Sequence, residues 1–128
     1  MKLFINISTT ALALIFLWNC GKSNPEPIPT MTSPQGEKLL SNQDYIFLDV
    51  RTEQEHDVGH IPNSTHIPVG SLETRIDEIE KFKDKKIVVY CRSGNRSAKG
   101  TTILIKSGFE AVNLSGGMLQ WKGPVDKK

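Results

Sequence analysis

At 128 residues the chain has room for one domain with one modest core, and no internal repeat divides it. Its 16 basic residues against 14 acidic ones leave a formal charge of +2. That gives no support for a broad basic surface binding nucleic acid or an anionic membrane, so any anion site must be local.

Residues 1–19 are chemically unlike the rest. Lys2 precedes a mostly apolar stretch whose uninterrupted part, Ala11 to Trp18, is too short for a bilayer span, which is the pattern of an export signal. Leu17, three residues before Cys20, is similar to the lipobox of bacterial lipoproteins. Asn19 departs from that pattern, which prefers Gly, Ala or Ser before the cysteine. The resemblance implies cleavage ahead of Cys20 and acyl chains on that residue, with the domain held at a bacterial membrane, in the periplasm or at the cell surface. A cleaved, soluble secreted form and an uncleaved anchor are the alternatives. Residues 20–29 then comprise the lipidated cysteine and a tether, because the spaced prolines of Gly21 to Pro29 favour an extended chain reaching roughly 25–30 Å. The domain proper is expected over 30–128.

Within it, a short strand is expected near Thr30, and Ser33-Pro34 opens a helix reaching Leu39-Leu40, with the serine as cap. Tyr45 to Val50 and Lys86 to Tyr90 are apolar runs without clear alternation, the mark of strands buried on both faces in a parallel sheet. A helix starting near Ser71 would align Leu72, Ile76, Ile79 and Phe82 on one face. Ser97 to Ser107 reads as another helix, stopped by Gly108. Shorter strands at Thr65–Ile67 and Ala111–Leu114 complete an alternating order, which predicts an open α/β parallel sheet with helices on both faces. Ligands of such sheets sit at the carboxyl ends of strands.

Cys91 stands at one of those ends, in Cys91-Arg92-Ser93-Gly94-Asn95-Arg96-Ser97. Thiolates react and thiols do not, so a nucleophilic cysteine needs surroundings that stabilise negative charge. Two arginines and a helix start provide them here, and Gly94 lets the backbone adopt a conformation barred to side chains. Lipidation of Cys20 would leave Cys91 as the only thiol of the mature domain, with no disulfide to consume it. Ser97 is expected to cap the following helix.

Leu48 to Pro68 (LDVRTEQEHDVGHIPNSTHIP), then CRSGNRS, then Leu114 to Trp121 (LSGGMLQW) together resemble a single rhodanese domain. The resemblance covers nearly everything after the tether. It implies a five-stranded parallel sheet and transfer of sulfane sulfur through a persulfide on Cys91, with Arg92, Ser93, Gly94, Asn95, Arg96 and Ser97 as the loop around the outer sulfur. Arg96 matches the arginine that closes this loop and binds an anionic donor such as thiosulfate. Asp49 and Arg51 match the Asp-Val-Arg element, read as scaffolding for the loop. Gly116-Gly117 would turn closely into a short helix, with Trp121 packed in the core.

The implied acceptor is a thiol, cyanide or a protein, and no cofactor beyond the transient persulfide is required. His56 and His60 have a zinc-like spacing, but Gly59 and Pro62 interrupt the helix and no third ligand suggests itself, so no metal site is expected. The alternatives are a cysteine-dependent phosphatase or arsenate reductase, and a non-catalytic sulfur-carrier or docking module. The four residues between Cys91 and Arg96, one fewer than in the phosphatase loop, argue for a ring sized to a single sulfur atom.

Overall fold

A computed structural model describes residues 26–128. The signal segment and Cys20 lie outside the described residues.

Five strands, β1 (Thr30–Thr32), β2 (Tyr45–Asp49), β3 (Thr65–His66), β4 (Lys86–Tyr90) and β5 (Glu110–Ser115), form one sheet in the order β1-β5-β4-β2-β3. Every pairing is parallel. The helices are α1 (Ser33–Glu37), α2 (Glu53–Val58), α3 (Asn95–Lys106) and α4 (Gly117–Gln120).

The central strands β2 and β4 are apolar on both faces because both faces are covered. On one side Leu48, Val50, Ile87, Val89 and Cys91 pack with Leu72, Ile79 and Leu104. On the other, Phe47, Val88 and Tyr90 pack with Ile61, Leu114 and Trp121. The two-residue period of a strand therefore sends Tyr90 and Cys91 to opposite sides of the sheet.

Several elements differ from the sequence expectation: α2 was not foreseen, and α1 ends at Glu37, short of Leu39-Leu40. The stretch after β3 is not an α-helix: it forms 3-10 turns at Val69–Ser71 and Ile76–Phe82 with irregular chain between. Ile76, Ile79 and Phe82 are spaced by three, the period at which a 3-10 turn eclipses its side chains, so this tighter winding puts all three against the core. At α1 the cap is Thr32 and not Ser33. The Thr32 hydroxyl accepts from the Gln35 amide at 3.3 Å while Gln35 Oε1 accepts from the Thr32 amide at 2.9 Å, a reciprocal capping box. The Ser33 hydroxyl is buried and instead donates to the Gly117 carbonyl at 3.2 Å, tying α1 to the first residue of α4.

Candidate active site

Cys91 follows β4 directly, and the chain then folds back on itself to start α3. Gly94 makes the reversal at φ 112°, a left-handed conformation that a side chain resists, and serves as the N-cap. Its amide donates to Cys91 Sγ at 3.1 Å, and the Ser97 hydroxyl lies 3.3 Å from the same sulfur. Ser97 is thus not the cap foreseen from sequence. It lies within the first turn of α3, fully buried, with its hydroxyl on the sulfur.

Only 1% of Cys91 is exposed. Burial by itself raises the thiol pKa, but the Ser97 hydroxyl and the amides of Ser97, Gly94 and Ser93 outweigh it, and the net shift is downward. The site is an anion cradle built chiefly from backbone N–H groups at the start of a 12-residue helix. Arg92, Ser93 and Asn95 point outward from it and are exposed.

The cradle is held from two sides by three hydrogen bonds. The amides of Met118 and Leu119 donate to the carbonyls of Cys91 and Arg92 at 3.0 and 3.1 Å. Gly117 permits this approach, since a Cβ there would collide with both of those carbonyl oxygens. On the other side, the buried Asn113 amide group on β5 donates to the Gly94 carbonyl at 3.2 Å. Sequence reasoning passed over Asn113, although a polar residue inside the apolar run Ala111-Val112-Asn113-Leu114 is the kind of signal that marks one.

Arg96 turns away from solvent only in part. Its Nη1 and Nη2 donate to Glu55 Oε1 and Oε2 at 2.7 and 2.9 Å, a bidentate pair across 41 residues of sequence. The guanidinium, together with the Thr52 cap, holds the Glu55 carboxyl down to about 2. Glu55 was not among the residues singled out from sequence. Its local signal was the Thr52–Glu55 capping box, and the structure contains that box, with Glu55 Oε1 accepting from the Thr52 amide at 3.3 Å.

Asp49 and Arg51 pair at 2.7 Å, both buried, and Asp49 also accepts from the Arg51 amide at 2.9 Å. Burial raises the Asp49 pKa, while the bonds from Arg51 and His56 pull it below its ordinary value. Arg51 Nη2 donates onward to the Gly59 carbonyl at 2.7 Å, so the pair braces the turn from Gly59 to Ser64. The Tyr90 ring, next in sequence to Cys91, lies under the Arg51 guanidinium, 5.6 Å from the centroid. The Tyr90 hydroxyl accepts from the Ile61 amide at 3.1 Å and lies 2.9 Å from Ser64 Oγ.

The three histidines of the chain stack beside this brace, His56 on His60 at 3.9 Å and on His66 at 4.4 Å between centroids. Face-to-face stacking keeps their in-plane lone pairs from converging, and among the described residues no group of three or more His, Cys, Asp or Glu side chains is placed to hold a metal ion.

The model of the rhodanese-like domain family matches residues 33–124. The chain belongs to that family. It is 35% identical over 97 residues to YtwF of Bacillus subtilis, which carries a sulfurtransferase name, covering 76% of this chain and 92% of that protein. A sulfurtransferase of Allochromatium vinosum is 36% identical over 86 residues, covering 66% of this chain and 78% of its own length. The crystal structure of a rhodanese-like domain protein from Staphylococcus aureus superposes with a TM-score of 0.70 at 31% identity, covering 79% of this chain and 99% of that one. Membership of the family, with relatives that carry sulfurtransferase names, places the chain with transferase-like enzymes.

Proposed function

We propose that this rhodanese-like domain is a sulfurtransferase that carries sulfane sulfur as a persulfide on Cys91, taken from an anionic donor such as thiosulfate and passed to a thiol or cyanide. The observation that supports this reading best is the convergence of the Gly94 amide and the Ser97 hydroxyl on Cys91 Sγ. Donors arranged in this way favour thiolate, and they remain available when the anion moves one sulfur outward.

In the first step the Cys91 thiolate attacks the outer sulfur of thiosulfate. A Sγ–S bond forms, the S–S bond of the donor breaks, and sulfite departs with the electron pair. In the second step the acceptor attacks the outer sulfur of the persulfide and Cys91 leaves as thiolate. Neither step calls on a metal or an organic cofactor.

The test is the intact mass of residues 26–128 after exposure to thiosulfate, beside Cys91→Ser. One added sulfur in the wild type, removed by cyanide and absent from the variant, is the expected outcome. No gain in mass by folded, reduced protein would reject thiosulfate as donor.

The proposal extends to location: lipid on Cys20 would hold the domain outside the cytoplasm through a tether of which only Glu26 to Pro29 is described. The Pro29 carbonyl accepts from the Asn113 amide at 2.9 Å, so the tether ends on β5. Metabolic labelling with a fatty acid, lost in Cys20→Ala, is the expected result, and an unlabelled wild type would refute it.

A further inference from the structure

The mouth of the Cys91 loop holds less positive charge than its sequence suggests. A cleft of about 420 Å³ opens beside Arg92, the one residue of the loop among its walls, which also include Arg51, Glu55, Val58, Met118 and Leu119. Arg51 is neutralised by Asp49, and Arg96 beside the cleft is neutralised by Glu55. Among the described residues, Arg92 has no carboxylate within ion-pairing distance, so one uncompensated guanidinium remains. The cleft walls are also unsuited to a bare inorganic dianion: Val58 and Leu119 stand 75% and 62% exposed, and Met118 lies beside them.

Resting on the sulfurtransferase reading above, we infer that Glu55 selects the donor: by cancelling the charge of Arg96 it disfavours the thiosulfate dianion and favours sulfane sulfur carried on an organic thiol. Such a donor, R–S–SH, brings an apolar body for Val58 and Leu119 and a single carboxylate for Arg92. The Cys91 thiolate attacks its outer sulfur, a Sγ–S bond forms, and the R–S bond to that sulfur breaks. The R–S thiolate leaves with the electron pair, the proton stays on the transferred sulfur, and no external oxidant is consumed. Glu55 touches neither sulfur. It is a positioning residue that acts through Arg96.

The test compares kcat/KM for thiosulfate and for the persulfide of 6-mercaptohexanoic acid in the wild type and in Glu55→Gln. Glutamine keeps the Thr52 capping box while removing the charge. The wild type should prefer the persulfide. In the variant, kcat/KM for thiosulfate should rise roughly five- to tenfold through KM, the persulfide value should move less than twofold, and the gain should shrink as salt is added.

A wild-type preference for thiosulfate overturns the inference whether or not the variant folds. So does an equal change for both donors, which is what a merely structural Glu55 would produce. Failure of both donors to load Cys91 in the wild type is a different result, and it rejects the sulfurtransferase reading itself.

Discussion

Tyr90 and Cys91 are adjacent in sequence, yet they belong to two differently built anion sites. On the Tyr90 side, Asp49 is completely buried and saturated by the Arg51 side chain, the Arg51 amide and His56, which lies 2.9 Å from it. On the Cys91 side, the sulfur is equally buried but faces the Gly94 amide and the Ser97 hydroxyl. In both, hydrogen bonds overcome burial and pull the acid's pKa down. The difference lies in what the donors are attached to. Arg51 and His56 are side chains committed to one carboxylate and to the turn it braces. The loop amides belong to backbone whose geometry is fixed by Gly94 and α3, so on the sulfurtransferase reading proposed above they serve one sulfur and then the next. A buried acid is saturated by side chains in the first setting and met mainly by backbone donors in the second.

That contrast is broken most severely at Asp49. Asp49→Ala leaves Arg51 buried without its partner and should cost about 3–5 kcal/mol in urea denaturation. If the brace is purely structural, whatever protein remains folded should load sulfur at the wild-type rate.

Tyr90→Phe tests a link between the two sites. It strands the Ile61 amide and should cost about 1–3 kcal/mol of stability. Sulfur loading of the folded variant should change less than twofold, and a larger loss would show that the brace reaches the cradle.

The smallest effect, and the sharpest, comes from Ser97→Ala. It removes the one side-chain donor on the sulfur and leaves the amides in place. Since that hydroxyl helps lower the Cys91 pKa, its loss moves the pKa up, so the midpoint of iodoacetamide alkylation against pH should move to higher pH. An unmoved midpoint would mean that the amides alone hold the thiolate.

Sulfurtransferase names are not the only ones in the family. A tRNA uridine(34) hydroxylase of Cronobacter sakazakii is 32% identical over 88 residues, but this chain spans only 25% of it. The shared part is the domain, and a domain of this kind serves proteins of different activity.

Much of the molecule was legible in the sequence because the relevant physics is local. Largely apolar runs without clear alternation at Tyr45 to Val50 and Lys86 to Tyr90 already specified strands covered on both faces, and therefore a parallel sheet. A cysteine at the end of such a run, followed by Gly94 and a helix, located the candidate nucleophile. The glycine pair before Met118 announced a close turn, and the structure shows that it is the Cys91 loop that is approached.

What the tertiary structure alone decided were partners distant in the chain and choices between equivalent local patterns. The spacing of Ile76, Ile79 and Phe82 is compatible with either kind of helix until the core they face is present. Thr32 and Ser33 are both good caps, and burial of Ser33 against Gly117 leaves the role to Thr32. Arg96 looked like a free cation because nothing near it in sequence is acidic. It meets Glu55 only because the order β4-β2 sets α2, which follows β2, beside the start of α3, which follows β4. Local sequence records which faces are dry and which turns are allowed, whereas charge compensation depends on which strand ends become neighbours.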